Sequence, residues 1–321
     1  MRRYLMLGIV ALSAIALIAM LSACGRHQGR VSTTVSNSAG GSGQRFRVGV
    51  TLLDEDDAFY QELKQSMKQA AAANNIDLTI VSADRDLARQ TDQVSNFITQ
   101  QMQAIIVCPV QTDGVAGAIR RANAAGIPVF TADIEAHGGK VVCHVASNNV
   151  QGGELAAKEM IKLLHGKGNI AIIDFPEVTS VRDRSDGFKK EIATAPGIHI
   201  LADPSGGGMR DRSKTLADNL ITQYGKKLNG IFGINDNTAL GALAAVEQNN
   251  RPDIVIVGYD GSPEARQDIK SGGPLKADAV QYPAKIGKKV IGVVAQYLKG
   301  DHKVPPIIQV QTGLVTAANL K

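Results

Sequence analysis

The residues best placed to do chemistry are polar groups that directly follow short apolar runs. Asp54, Glu55, Asp56 and Asp57 come after the run at 48–53, and Phe59 and Tyr60 follow at once. Asp133 lies just past a run ending at Thr131, and Arg182 and Arg184 lie beyond 170–173. Asn235 and Asp236 follow 231–234, Asp260 follows 257–259 and Gln281 follows 279–280. Carboxylates, amides and guanidinium groups are planar and can engage neighbouring hydroxyls two at a time. The aromatic rings offer flat faces for the C–H side of a small ring. The mixture suits a small polyhydroxylated ligand. Each residue also has a plainer use. Asp56, Asp57, Asn235 and Asp236 suit helix N-caps, Phe59 stands at core spacing, and Arg184 suits a surface ion pair. The case for a site rests on the set, because both halves of the chain supply it.

Other chemistries fit less well. Asp133 and Asp260 could form the carboxylate pair of a glycosidase. However, there is no Ser/His/Asp motif, no phosphate-cradling loop and no G-x-G-x-x-G after the first apolar run. The six His are scattered without metal-ligand spacing. The acidic stretch 54–57 does not match a D-x-[DN]-x-[DN]-G calcium loop. No catalytic residue, cofactor or metal is expected.

The elements that must carry these residues alternate regularly. Strands are expected at 48–53, 78–81, 104–110, 127–131 and 141–146, then at 170–174, 199–202, 231–234, 254–258 and 277–280, with a last one from about 307. Helices are expected at 58–73, 86–102 and 113–125, then near 150–165, 182–194, 211–224, 236–249, 263–271 and 284–298. Continuously apolar strands are buried on both faces, as in parallel sheets covered by helices. Strand–helix alternation gives a doubly wound α/β sheet, and ten strands divide into two similar halves. Ligands bind such sheets beyond the carboxyl ends of the strands, which is where the polar set lies.

Bulk properties exclude further classes. The chain has 321 residues, with 35 Lys and Arg against 30 Asp and Glu, a net charge of +5. Six of the arginines, at 2, 3, 26, 30, 45 and 47, lie at or before the start of the folded part, and no basic run interleaved with aromatics follows. No nucleic-acid partner is expected. Of three cysteines, Cys108 and Cys143 sit within apolar strands that this fold keeps apart, so two buried thiols are expected instead of a bridge.

The folded region, about 47–315, resembles the periplasmic sugar-binding proteins of the ribose-binding type, the solute receptors of ABC importers. The resemblance rests on His144-Val145-Ala146-Ser147-Asn148-Asn149-Val150-Gln151-Gly152-Gly153, Asn235-Asp236-Asn237-Thr238-Ala239-Leu240-Gly241-Ala242 and Val257-Gly258-Tyr259-Asp260-Gly261-Ser262-Pro263. Arg182-x-Arg184-x-x-Gly187-Phe188 and Gln281-Tyr282-Pro283 complete the set in the same order. It implies two doubly wound parallel-sheet lobes joined by a three-stranded hinge. The N-terminal lobe would span 45–147 plus 282–310, and the C-terminal lobe 148–281 plus 311–321. Asp133, Arg184, Asn235, Asp260 and Gln281 fall on positions that bond sugar hydroxyls, Phe59 and Tyr60 on an aromatic pair covering the ring, and Asp57 where ribose binders carry an Asn. Three departures stand out. Ile134 replaces an Arg after Asp133, the segment 206–209 (Gly-Gly-Gly-Met) replaces a second stacking aromatic, and acidic residues replace Asn-Asn-Pro near 54–57. The implied ligand is a monosaccharide or polyol, pentose and hexose included, bound with a selectivity unlike that of the ribose binders, and the implied partner is a set of ABC permease subunits, with the receptor itself a monomer.

The first residues set the address. Arg2 and Arg3 precede an apolar run at 4–21, and Leu21-Ser22-Ala23-Cys24 closes it. These are the parts of a secretory signal, and the ending resembles the lipobox of bacterial lipoproteins, in which the Cys is lipidated. A single membrane-spanning helix is the alternative. Residues 25–44, rich in Ser, Gly and Thr, read as a flexible tether. The expected location is extracytoplasmic, held at the membrane through Cys24. Within that setting a receptor for chemotaxis, two-component or quorum sensing is the alternative to transport.

Overall fold

The structure is a computed structural model that describes residues 45–320. The signal segment, Cys24 and the tether all lie outside the described residues.

The strands are β1 (Phe46–Leu52), β2 (Ile76–Ser82), β3 (Ala104–Val107), β4 (Val129–Ala132), β5 (Val141–Ser147), β6 (Lys167–Ile173), β7 (Gly197–Ala202), β8 (Gly230–Gly233), β9 (Val255–Asp260), β10 (Leu275–Val280), β11 (Ile307–Val310) and β12 (Gly313–Thr316). The helices are α1 (Ala58–Ala73), α2 (Leu87–Thr99), α3 (Ala116–Ala124), α4 (Asn149–Leu163), α5 (Thr179–Ile192), α6 (Arg210–Tyr224), α7 (Asp236–Gln248), α8 (Pro263–Ser271) and α9 (Pro283–Leu298). Two six-stranded sheets result, ordered β11-β5-β4-β3-β1-β2 and β12-β10-β9-β8-β6-β7. All pairings are parallel except β10 with β12. We call the first sheet with α1, α2, α3 and α9 the N-terminal lobe, and the second with α4–α8 the C-terminal lobe. The two orders match position for position, so β4 corresponds to β9 and β1 to β6.

The chain passes between lobes three times: between β5 and α4, between β10 and α9, and between β11 and β12. The Asn148 amide donates to Val310 O at 2.8 Å and Thr312 donates to Gln151 Oε1 at 3.0 Å. These bonds tie the first and third crossings together.

Strands β1, β3, β4 and β8 are apolar on both faces because helices cover both sides. In the N-terminal lobe, α1 buries Phe59, Leu63 and Met67, and α9 buries Ile286, Val290 and Val294. In the C-terminal lobe, α4 and α5 approach closely. A Cβ on Gly153 would strike the Arg184 carbonyl, and one on Gly187 would strike that of Val150. Only glycine at both positions lets α5 lie near enough to deliver Arg184 to the interior.

Strand β3 ends three residues earlier than its apolar run. Pro109 has no N–H to continue a ladder. The buried Gln90 side chain replaces it, donating to Cys108 O at 2.9 Å and accepting from Val110 N at 2.8 Å. Helix α5 starts at Thr179, before its expected position, because its N-cap residue Val178 makes no side-chain bond that would flag a start. Strand β12 is short, half-buried and carries Gly313, so its apolar signal is weak. Among the described residues Cys108 and Cys143 are free and buried, Cys108 just past the end of β3 and Cys143 on β5, with β4 between those strands.

Candidate functional site

Loops at the carboxyl ends of both sheets meet in a cleft containing about 420 Å³ of empty space, mouth included. Asp57, Phe59, Tyr60 and Asp133 reach it from the N-terminal lobe, and Arg184, Asn235, Asp260 and Gln281 from the C-terminal side. The structure thus brings the eight residues that the resemblance assigns to the ligand to one place, whereas Asp54, Glu55, Asp56, Arg182 and Asp236 do not line it.

Several of them do two jobs. Asp57 caps α1, its Oδ1 accepting from the Phe59 amide at 2.8 Å, while its Oδ2 accepts from Asn237 Nδ2 on the opposite lobe at 3.0 Å. Asn235 caps α7 by accepting from the Thr238 amide at 2.9 Å and donates Nδ2 to Gly208 O at 3.2 Å. Cap and cleft readings therefore hold together. Phe59 is both core and cleft wall, set edge-on to Tyr60 with centroids 5.2 Å apart.

Arg184 is not a surface residue; only 4% of it is exposed. Its Nε donates to Asn149 Oδ1 at 3.0 Å and its Nη1 to Ile234 O at 2.9 Å. The guanidinium lies over the Tyr259 ring, 4.1 Å from the centroid, and stands 3.7 Å from Asp260 Oδ1. It is the buried counter-charge of the C-terminal wall.

Asp133 and Asp260 occupy corresponding places, at the ends of β4 and β9. Both have positive φ, 68° and 123°, a conformation that costs a non-glycine residue on the order of 1–3 kcal/mol. Each carboxylate is thereby turned into the cleft. Tyr60 Oη donates to Asp133 Oδ2 at 2.5 Å, and Asp133 Oδ1 is buried without a partner among the described residues. Burial pushes the Asp133 carboxyl up to about 6, against the pull of Arg184 and of the Tyr60 hydrogen bond. Gln281 Nε2 donates to Asp260 Oδ1 at 2.7 Å, and Gln281 Oε1 is likewise buried without a partner among the described residues. Burial raises Asp260 well above the ordinary range even with Arg184 beside it, and it raises Asp57 as well. Behind Asp260, burial also raises Asp236 and Asp278, and the nearness of Asp260 adds to the rise at Asp278.

Arg85 and Phe175 are among the cleft residues that escaped the sequence reading. Arg85, after β2, donates Nε to Asp54 Oδ2 at 2.6 Å and Nη1 across the cleft to Gly207 O at 2.9 Å. A guanidinium thus reaches the cleft although Ile134 follows Asp133. Phe175, after β6, lines the C-terminal wall, so an aromatic stands there although residues 206–209 carry none. Both stand beyond apolar runs, a weak signal that does not by itself show which loops face the cleft. The acidic stretch is consumed locally: Asp54 pairs with Arg85, Glu55 with Lys64, and Asp57 caps α1.

The lobes touch at the rim. The Thr179 amide donates to Thr112 Oγ1 at 2.9 Å, and the Glu135 amide to Thr179 Oγ1 at 3.1 Å. With Asp57–Asn237 and Arg85–Gly207, these bonds clasp the cleft shut.

Comparison with known proteins agrees with this architecture. A periplasmic binding protein domain model matches residues 48–302. The ribose import binding protein of Bacillus subtilis (strain 168) is 32% identical over 266 residues, 83% of this chain and 85% of that protein. A xylitol-binding protein of Mycolicibacterium smegmatis is 33% identical over 253 residues, 78% of this chain and 69% of that one. The crystal structure of an ABC transporter solute-binding protein from Bacillus halodurans with bound myo-inositol superposes with a TM-score of 0.80 at 29% identity, covering 88% of this chain and 97% of the other. These relatives are binding proteins. The match over most of the folded region, two parallel-sheet lobes and an interlobe cleft together make this chain a member of the periplasmic binding protein domain family.

Proposed function

We propose that this protein is the solute receptor of an ABC importer, lipid-anchored through Cys24 outside the cytoplasm, which closes on a monosaccharide or polyol and delivers it to a membrane permease. The observation that carries the reading is the convergence of carboxylates, amides and a buried guanidinium from both lobes on one cleft flanked by Phe59 and Phe175. A ligand held by both lobes is bound better in the closed form than in the open one, so binding itself drives closure. Asp57, Asp133 and Asp260 accept from ligand hydroxyls, Arg184 and Asn235 orient them, Gln281 joins the hinge to the wall, and Phe59 and Tyr60 cover the apolar face. The relatives' names and bound ligands, which include ribose, xylitol and myo-inositol, favour the same class.

Titration calorimetry against pentoses, hexoses and polyols tests the binding reading, with sub-millimolar, one-to-one binding expected for at least one of them. Failure of every member to bind below millimolar overturns it. Mass spectrometry of the mature N-terminal peptide tests the anchor: a diacylglyceryl mass on Cys24 is expected, and an unmodified Cys24 refutes it.

A further inference from the structure

The lobes meet at the carboxyl ends of their strands, so the amino ends of the two sheets face away from the cleft. We infer that the amino end of the N-terminal lobe is a second interaction surface, a basic face with an apolar edge that lies against anionic phospholipid at the membrane surface. The inference deepens the membrane-held reading proposed above by naming the face that meets the lipid.

Five cations gather at this end. Arg45 and Arg47 stand at the start of β1, Lys140 directly precedes β5, and Lys299 and Lys303 follow α9; all five are exposed. Arg45 Nη2 donates to Ile76 O at 3.1 Å and Arg47 Nη2 to Gln101 O at 2.9 Å. These backbone bonds hold the two guanidinium groups beside the starts of β2 and β3 without neutralising them. Among the described residues none of the five forms an ion pair, whereas Arg85, Arg89, Arg210 and Arg251 all do. Asp77 and Asp301 stand against them, and the Asp301 carboxylate accepts from Gln296 Nε2 and from the Lys303 amide. Five cations against two acids leave an excess of three. Complementing a helix dipole accounts for Lys299 beside the end of α9, but the other four lie at strand starts or in a loop.

An apolar edge adjoins the charge. Pro305, Pro306 and Ile307 are exposed, and Ile307, on the outer strand β11, is 52% exposed. Basic side chains beside exposed apolar ones are the composition of surfaces that lie in a lipid interface. The 44 residues that precede Arg45, Cys24 among them, join the fold at this same end. A second copy of the chain is a poorer occupant, because like charges would face each other. Each basic residue close to an anionic membrane strengthens binding about fivefold, so an excess of three gives on the order of 100-fold.

The test is lysine acetylation, read by mass spectrometry, on the full-length protein mixed with phosphatidylcholine vesicles with or without phosphatidylglycerol. Acetylation of Lys140, Lys299 and Lys303 should slow about tenfold or more only when phosphatidylglycerol is present, and molar salt should abolish the effect. Lys226 and Lys227, exposed ahead of β8 in the other lobe, are the controls and should react equally in both mixtures. Lys140→Glu combined with Lys303→Glu reverses the charge of the face, and it should abolish protection of Lys299 while leaving solute binding unchanged. Equal reactivity of the three lysines on both kinds of vesicle overturns the inference, as does equal protection of Lys226 and Lys227. Protection without vesicles marks a contact between copies and overturns it too. The Cys24 peptide is weighed in the same samples. A lipidated Cys24 without lysine protection overturns this inference alone, and an unmodified Cys24 with protection overturns the anchor alone.

Discussion

Replacing Asp133 by Asn should make the empty protein more stable and its ligand binding weaker. The side chain is nearly isosteric, and Asn tolerates the 68° φ at this position as well as Asp does. Its Oδ1 can still accept from Tyr60, so the local packing survives. What changes is charge. Raising a carboxyl from 3.8 to about 6 means that the ionised group at pH 7.5 costs about 3 kcal/mol, at 1.36 kcal/mol per unit. This cost has a definite pH window. The folded state holds its proton more tightly than the unfolded state, so the stabilisation is complete below 3.8 and lost as pH rises through about 6. Asn removes the cost above that range, and ligand-free stability should rise by about 1–3 kcal/mol, or roughly 2–6 °C in Tm. At pH 4 the two proteins should melt alike. Ligand affinity moves oppositely, because a bond to a charged acceptor gives way to a neutral one, costing about tenfold in Kd. Thermal unfolding at pH 4 and 7.5, with titration calorimetry at 7.5, reads both quantities. An unchanged Tm at 7.5 together with an unchanged Kd refutes the assignment of Asp133 as a buried carboxylate held for a ligand.

Three other outcomes follow from the same geometry. Arg184→Met leaves Asp260 and Asp133 without their buried counter-charge, so binding should fall more than about 100-fold and stability by about 3–5 kcal/mol, read by calorimetry and denaturant unfolding; a variant that binds normally would show that Arg184 only packs. Thr179→Val removes the hydroxyl that accepts from Glu135 across the rim, which should open the clasp by about 1 kcal/mol and raise Kd about fivefold with little change in ligand-free Tm. In the unsubstituted protein, affinity should be about tenfold weaker at pH 5 than at 7.5, since ligand hydroxyls favour ionised Asp133 and its carboxyl titrates near 6; the dependence should flatten in Asp133→Asn, and a pH-independent Kd contradicts it.

Much of this was legible in the chain because parallel-sheet strands are continuously apolar and their ends are punctuated by polar residues. The nine α-helices of the described residues lie close to where the apolar spacing put them, α5 starting early and α1 keeping the same bounds because Asp57 both ends the loop and caps the helix. What escaped has physical reasons. Strand β12 is an antiparallel edge with two half-buried faces, so it lacks a continuous apolar run. The early end of β3 depends on Gln90, a residue 14 positions upstream of that strand whose amide imitates a strand neighbour. Phe175 and Arg85 were hidden because their roles depend on which loops face each other across the cleft. The pairing of Arg85 with Asp54 spans 31 positions and its contact with Gly207 spans 122. Likewise, the burial of Arg184 follows from glycines at 153 and 187 acting together, which spacing on either helix alone does not reveal.

The central claim is that the interlobe cleft takes a polyhydroxylated ligand by its hydroxyls. A crystal structure of the protein with the ligand that co-purifies, or with the tightest polyol from calorimetry, tests it most directly. The expected density lies between Phe59 and Phe175, with hydroxyls within hydrogen-bond distance of Asp57, Asp133 Oδ1 and Asp260 and the Arg184 guanidinium alongside. An empty cleft at saturating polyol, or a ligand seated away from these carboxylates, contradicts it.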